Sequence, residues 1–304
     1  QLDGKYGFID KNGEIVIKPQ FDGALWFQEG LAGIKLDGKW GYIDKNGNIV
    51  INPQFDNTRW FQEGLARIQL GGKYGYIDKT GNIVIKPQFK EAEDFQEGLA
   101  RIKLGNKWGY IDRNGKIVSN PQFGSAGVFQ EGLARIELGN KWGYIDRNGK
   151  IAIKPQFEDA EDFQEGLALI RLGGKCGFID KNGKIAINPQ FDYAEDFQEG
   201  LARIKLGNKW GYIDKNGKIV SKPQFDWLGD FQEGLARIKL GEKYGFIDKN
   251  GKIAINPQFE GAREFQEGLA RIMTLLGNKY LYGYIDKTGK IVINPQFDYA
   301  GDFN

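Results

Sequence analysis

The sequence predicts an all-β fold of tandem 34-residue hairpin and meander units stacked into an open, curved, solenoid-like array. Three observations lead there. Glycines Gly7, Gly41, Gly75, Gly109, Gly143, Gly177, Gly211, Gly245 and Gly283 recur every 34 residues, except for a last interval of 38, and all nine prolines keep the same phase and precede Gln-Phe. Each unit also carries at least four glycines and a proline, too closely spaced for a helix of ~10 residues, which excludes the helix pairs that share this period. In the irregular unit the four extra residues fall two before and two after the turn Gly277-Asn278. A hairpin absorbs two residues on each strand without turning any side chain to the opposite face, and a helix pair has no reason to grow this way.

The first strand of a unit, Leu-Ala-Arg-Ile-Lys-Leu, turns into Lys-Trp-Gly-Tyr-Ile-Asp through a dipeptide that reads Gly-Asn, Gly-Gly, Gly-Glu or Asp-Gly. A leading glycine suits a type II′ turn and Asp-Gly a type I′ turn. With the turn at Gly105-Asn106, Ile102 faces Gly109, Arg101 faces Tyr110, Lys103 faces Trp108 and Ala100 faces Ile111. The longer hairpin keeps Ile272 opposite Gly283 and Arg271 opposite Tyr284. One face then carries Trp and Tyr beside Arg and Lys stems, and the other carries Ala, Ile and a glycine that marks a close approach.

The second turn, Asp44 to Gly47 and its equivalents, has Thr in place of Asn at Thr80 and Thr288. A β-branched residue resists positive φ, so a type I turn followed by a left-handed glycine in a bulge is expected. The third strand, such as Lys116-Ile117-Val118, runs to Pro-Gln-Phe, where the missing N–H is expected to end regular pairing. A variable connector leads from there to Phe-Gln-Glu-Gly. It reads as loop, with a single helical turn around Tyr193 as its one candidate for regular structure.

Charge is nearly balanced, 42 basic against 40 acidic residues, and interleaved within every repeat, which argues against nucleic acid or an anionic surface as partner. No stretch approaches the ~18 apolar residues of a membrane span. The start, Gln1-Leu2-Asp3-Gly4, lacks a signal pattern and an initiator Met, so the chain reads as a fragment or processed product. The lone Cys176 replaces an aromatic residue and has no partner for a disulfide or a metal site.

Candidate chemistry is sparse. The Asp-x-Asn-Gly turns superficially resemble a calcium loop but lack its alternating ligands and closing carboxylate, and Asx hydrogen bonding explains them fully. The repeated Glu of Phe-Gln-Glu-Gly and these Asp residues are identical from unit to unit, so none stands out as an acid or a base. There is no histidine, nucleophile elbow, phosphate loop or zinc spacing, and no enzyme, cofactor or metal is expected.

Lys-Trp-Gly-Tyr-Ile-Asp, the Asp-Lys-Asn-Gly turn, Pro-Gln-Phe and Phe-Gln-Glu-Gly-Leu-Ala together resemble the bacterial WG-repeat family, also described as KWG repeats, and the resemblance spans the whole chain. Tyr6, Tyr74 and Tyr244 keep a ring in place of Trp, whereas Cys176 does not. The resemblance implies a β-rich repeat scaffold, often joined to other domains, without a common catalytic residue set.

The expectation is therefore one continuous array over residues 1–304, nine units with the first and last incomplete, acting as a structural or protein-interaction scaffold. Neither end supplies the strand the other lacks, Phe303-Asn304 stopping short of it, so an open array is favoured over a propeller-like or toroidal ring. The alternative function is binding of a glycan or a choline-type ligand at aromatic sites between repeats. The candidate contact lies in the connector, where Trp26, Trp60 and Val128 replace the acidic residue of the other units, Asp94, Asp162, Asp196, Asp230, Glu264 and Asp302. This apolar patch is read either as a partner or self-association surface or as a cap over an end repeat.

Overall fold

The computed structural model describes residues 1–302, which form strands, turns and bends with no helix among them. Phe303 and Asn304 lie outside the described residues. The repeats fall into two compact units, Gln1–Asp162 and Phe163–Asn304.

The sheet made of Glu91–Ala92, Leu99–Leu104, Lys107–Asp112 and Ile117–Phe123, hydrogen-bonded in that order, shows how a repeat is built. Its hairpin has the expected register, with Ile102 opposite Gly109, Arg101 opposite Tyr110, Lys103 opposite Trp108 and Ala100 opposite Ile111. In the irregular repeat the strands Leu269–Leu276 and Lys279–Asp286 each reach 8 residues, and Ile272 stays opposite Gly283. The sheets are linear in strand order, so none closes on itself as a barrel.

The second turn is as expected, and the first is so in part, since the leading-glycine turns Gly71-Gly72, Gly139-Asn140 and Gly173-Gly174 have two positive φ values, as in type I′. Asp37 and Gly38 have φ of 49° and 79°, as a type I′ turn requires, whereas at Gly105-Asn106 only the glycine is positive, at 59°, as in type II′. The same Gly-Asn dipeptide at Gly139-Asn140 takes the first form, with Asn140 at φ 60°. In the second turn, Gly47 sits at φ 85° and donates its N–H to the Asp44 carbonyl at 3.0 Å, closing the turn ahead of a left-handed residue.

Three expectations are corrected. Proline does not end the pairing: Ile117–Phe123 runs through Pro121, and Phe123 pairs with Trp108. The register slips between Trp108 and Tyr110, so the proline segment bulges over Gly109 and needs no ladder donor there. A Cβ on Gly109 would lie 2.6 Å from the Ser119 carbonyl oxygen and 2.7 Å from the Pro121 nitrogen, which is why only glycine fits. The connector is not all loop, since Glu91–Ala92 pairs with Lys103 and Ile102 as a fourth strand. Around Tyr193 there is strand rather than a helical turn, Tyr193 and Ala194 pairing with Lys205 and Ile204. A strand of two residues gives no alternation to read in the sequence.

Hydrophobic burial stacks the sheets within each unit. Tyr110 and Phe123 of one sheet pack with Ala126, Phe129, Ala134, Ile136 and Ile145 of the next, and Tyr76, Ile85 and Phe89 pack in the same way with Ala92, Phe95, Ala100, Ile102 and Ile111. In the second unit Tyr212 and Phe225 meet Leu228, Ala236, Ile238 and Ile247. Within a unit the ring-bearing face of a repeat thus lies on the Ala/Ile face of its successor. Burying one such side chain is worth roughly 1.5–3 kcal/mol. A single repeat has only half of each interface, so stability comes from the stack.

Candidate functional site

The half-buried tryptophans do not stand free. Over the Trp108 ring lie the Arg101 guanidinium at 5.0 Å and the Lys103 ammonium at 5.1 Å, and Arg135 lies over Trp142 at 5.4 Å. The cation–π layer expected from the hairpin register is present. One residue further along the same face, buried Tyr110 donates its hydroxyl to the Gly127 carbonyl of the next repeat at 2.7 Å, and Tyr144 does the same to Glu161 at 2.6 Å. Burial pushes the Tyr110 hydroxyl well above the ordinary tyrosine value, so it serves as a neutral donor.

The arginine beside each ring reaches across to the following repeat. Arg135 donates to the Ala160 carbonyl at 2.7 Å and meets Asp162 at 3.3 Å, and Arg67 donates to the Ala92 carbonyl with Asp94 at 3.5 Å. Arg203 with Asp230, Arg237 with Glu264 and Arg271 with Asp302 repeat the pairing. Burial pushes the Asp94 and Asp162 carboxyls up, although Arg67 and Arg135 act against it. Asp94 and Asp162 are thus partly buried, whereas Asp230 and Asp302 remain exposed. The connector is not free of packing demands, because Ala92, Ala126, Ala160 and Thr58 within it are buried.

A second ladder runs through Phe-Gln-Glu-Gly. Its glutamate takes positive φ, 51° at Glu29, in a turn closed by reciprocal Gln28–Leu31 hydrogen bonds. The side chain accepts the Gly64 N–H at 3.0 Å and pairs with Lys79 at 3.0 Å. Glu97 repeats this with the Gly132 N–H at 2.9 Å and Arg147, and in the second unit Glu165 does so with Gly200 and Lys215. Burial acts to raise the Glu29 carboxyl, but the bonds from Lys79 and Gly64 outweigh it and hold it below its usual range. Glu29, Glu97 and Glu165 each tie three successive repeats together. At the second turn, Asp44 accepts the N–H groups of Asn46 and Asn48 at 2.8 and 2.9 Å, the Asx pattern read from the sequence. Its carboxyl lies below the usual value chiefly through the Asn48 side-chain hydrogen bond.

Against this background the proposed patch resolves into parts. Trp26, 72% exposed, and half-buried Trp60 are stacked with ring centroids 6.3 Å apart and planes 26° apart, and Arg59 lies over Trp60 at 5.6 Å. Val128 does not share their setting: Asp94 holds the equivalent position in the intervening repeat, and Val128 stands where an acid would pair with Arg101. The Arg101 Nε is buried without a hydrogen-bond partner. Sequence reasoning missed this pairing although the signal was there. Arginine and acid stand 27 residues apart in Arg67–Asp94, Arg135–Asp162 and Arg203–Asp230, and where Gly33 replaces the arginine, Trp60 replaces the acid.

Of the cavities, one in the second unit measures about 270 Å³ and lies between Tyr244 and Tyr282, while its counterpart at Asn57 and Tyr74 in the first unit measures about 50 Å³. Among the described residues no group of three or more His, Cys, Asp or Glu is placed to hold a metal ion, and no helix is long and apolar enough to cross a membrane.

Comparison with known proteins gives a family model described as WG containing repeat, matching residues 6–40, 40–74, 74–108, 108–142, 142–176, 177–210, 210–244, 244–280 and 282–304. Among curated proteins nothing matches. Solved structures similar in fold include a eukaryotic initiation factor, at 10% identity over 96% of this chain and 93% of that one with a TM-score of 0.47. Apo AztD from Citrobacter koseri is similar at 12% identity over 88% and 92%, with a TM-score of 0.33. Likenesses this distant say nothing about what the chain does.

Proposed function

Because the chain belongs to the WG-containing repeat family, its nine copies spanning residues 6–304, we propose that it is a non-catalytic scaffold that holds a protein partner through the Trp26–Trp60 pair of its first unit. The observation that carries this reading is an exposed indole, Trp26, stacked on half-buried Trp60 in a chain many of whose charged groups are engaged in its own construction. Arg101 and Lys103 cover Trp108, Asp94 and Asp162 counter arginines, and Glu29 and Glu97 tie repeats together. A carboxylate committed to such a ladder is a poor acid or base, which supports a non-catalytic role.

Glycan binding is the second reading, favoured by the near-parallel planes of the two indoles, which suit stacking on a sugar. A choline-type ligand is disfavoured at Trp108 and Trp142, where a quaternary ammonium would have to displace the chain's own cations.

The competing structural role for the pair is to cap apolar surface. Replacing Trp26 and Trp60 together with Asp separates the readings. A contact surface predicts a melting temperature within about 2 °C of the unaltered chain together with loss of self-association in sedimentation, of partner capture, or of retention on a glycan matrix. A cap predicts a lowered melting temperature with association intact. If sedimentation, capture, retention and melting are all unchanged, the pair has neither role.

A further inference from the structure

The second residue after Pro-Gln-Phe begins the connector, and in three repeats of the second unit its ring lies beside the hairpin rings or their cations. Tyr193 packs edge-on against Trp210 with centroids 5.6 Å apart, Trp227 holds the Arg237 guanidinium at 4.5 Å, and Tyr299 sits edge-on to Tyr282 at 6.4 Å. In the repeat between Trp227 and Tyr299 this residue is Gly261, which brings no ring. The residue opposite it is also changed: Met273 stands where Lys205 and Lys239 face Tyr193 and Trp227. The result is the cavity of about 270 Å³, walled by Tyr244, Tyr282 and Met273 and by Arg237, Arg263 and Arg271.

The polar groups of this slot are unevenly satisfied. Arg237 pairs with Glu264 at 2.9 Å and Arg271 with Asp302 at 3.3 Å, and Glu260 is held by Lys243 at 2.6 Å and by the Thr274 hydroxyl. Arg263, exposed at the rim, has no counter-ion among the described residues. The Arg237 Nε is buried and lacks a hydrogen-bond partner. A slot flanked by tyrosines thus adjoins an unpaired cation.

We propose that this slot binds a small molecule made of one aromatic ring and one carboxylate, the ring lying where Tyr193 and Trp227 lie in neighbouring repeats and the carboxylate meeting Arg263. The volume suits an indole-sized ring, and aromatic stacking with a charge-assisted hydrogen bond supplies the affinity. This goes beyond the scaffold reading and concerns a different unit from the Trp26–Trp60 pair, so either can fail without the other.

The test is calorimetry and saturation-transfer NMR on the full chain with indole-3-acetate, indole and cyclohexylacetate. For a ligand of this size the expected Kd for indole-3-acetate is about 100 µM, with the other two at least about 5-fold weaker. Gly261→Tyr supplies the missing ring, because a Cβ there meets only the flexible Met273 side chain, at 3.2 Å from Cε. It should weaken indole-3-acetate at least about 10-fold without lowering the melting temperature. Arg263→Gln, at an exposed position that leaves the fold intact, should bring indole-3-acetate to the affinity of indole and leave indole unchanged. The proposal is overturned by no binding of indole-3-acetate up to about 5 mM, by equal binding of cyclohexylacetate, or by unchanged affinity in Arg263→Gln. Unchanged affinity in a folded Gly261→Tyr variant overturns it as well.

Discussion

Gly33 and Trp60 occupy the positions that Arg67 and Asp94 take one repeat later, and the two junctions are filled by different chemistry on a common backbone. At the first, Gly33 backs onto Leu25, whose Cδ1 would lie 2.9 Å from a Cβ there, and the Trp60 ring stacks on Trp26. At the second, Arg67 lies over Tyr74 at 5.4 Å, donates to the Ala92 carbonyl and meets Asp94. The difference shows that at the second junction the connector acid answers the arginine, although the acid does not require one everywhere, since Asp196 is kept where Leu169 replaces the arginine. A half-buried arginine and acid are favourable only as a pair, so loss of one releases the other. Trp60 has no arginine to answer, because Gly33 stands at that position in the preceding repeat. Val128 is the converse of Asp196, since Arg101 remains where the acid is gone and keeps only the Ala126 carbonyl and a distant Glu93.

The largest expected effect tests whether the backbone is indeed common to the two junctions. Gly41→Val and Gly75→Val should each destabilise by about 3 kcal/mol, because a Cβ at either would lie 2.6 Å from the nitrogen of Pro53 or Pro87. Chemical denaturation of the two variants checks this, and a marked inequality between them would break the comparison at its root. Next in size is Arg67→Leu, which leaves Asp94 half-buried beside an empty guanidinium site and should cost about 2 kcal/mol. Following it with Asp94→Leu should recover part of that loss, as a paired ionic junction converted to an apolar one requires. A double variant no more stable than Arg67→Leu alone would show that the two positions are not coupled.

The smallest effect is on pH dependence. Carboxyls whose values are held below normal, Asp56 chiefly by Lys39 and Glu29 by Lys79 and Gly64 against its burial, contribute stability above their unfolded values and lose it as the pH falls through the folded ones. Asp94, raised by burial, does the reverse and gains relative stability on acidification. The melting temperature should therefore drop between pH 5 and about pH 3, and it should drop further in Asp94→Asn, which lacks the opposing group. Thermal melts across that range decide it, a shallower drop in the variant being the result that contradicts the assignment.

Much of a single repeat was legible from its residues because its contacts are local. Alternation across a two-residue turn fixes which side chains face one another, so Arg101 opposite Tyr110 and Ile272 opposite Gly283 needed only the position of the turn. Thr80 and Thr288 likewise decided the second turn through the φ they refuse. The tertiary structure alone decided what one repeat does to another. That Pro121 folds over Gly109 and pairing resumes at Phe123 depends on a bulge with no alternation to mark it. That Arg135 meets a carbonyl 25 residues on, and Arg147 a glutamate 50 residues back, depends on the distance and angle at which sheets stack. Those quantities are set by the summed packing of Tyr, Phe, Ala and Ile across each interface. A repeating sequence specifies that packing only collectively, so the consequences of one altered residue, such as Gly261 or Val128, appear only where its neighbours are seen in place.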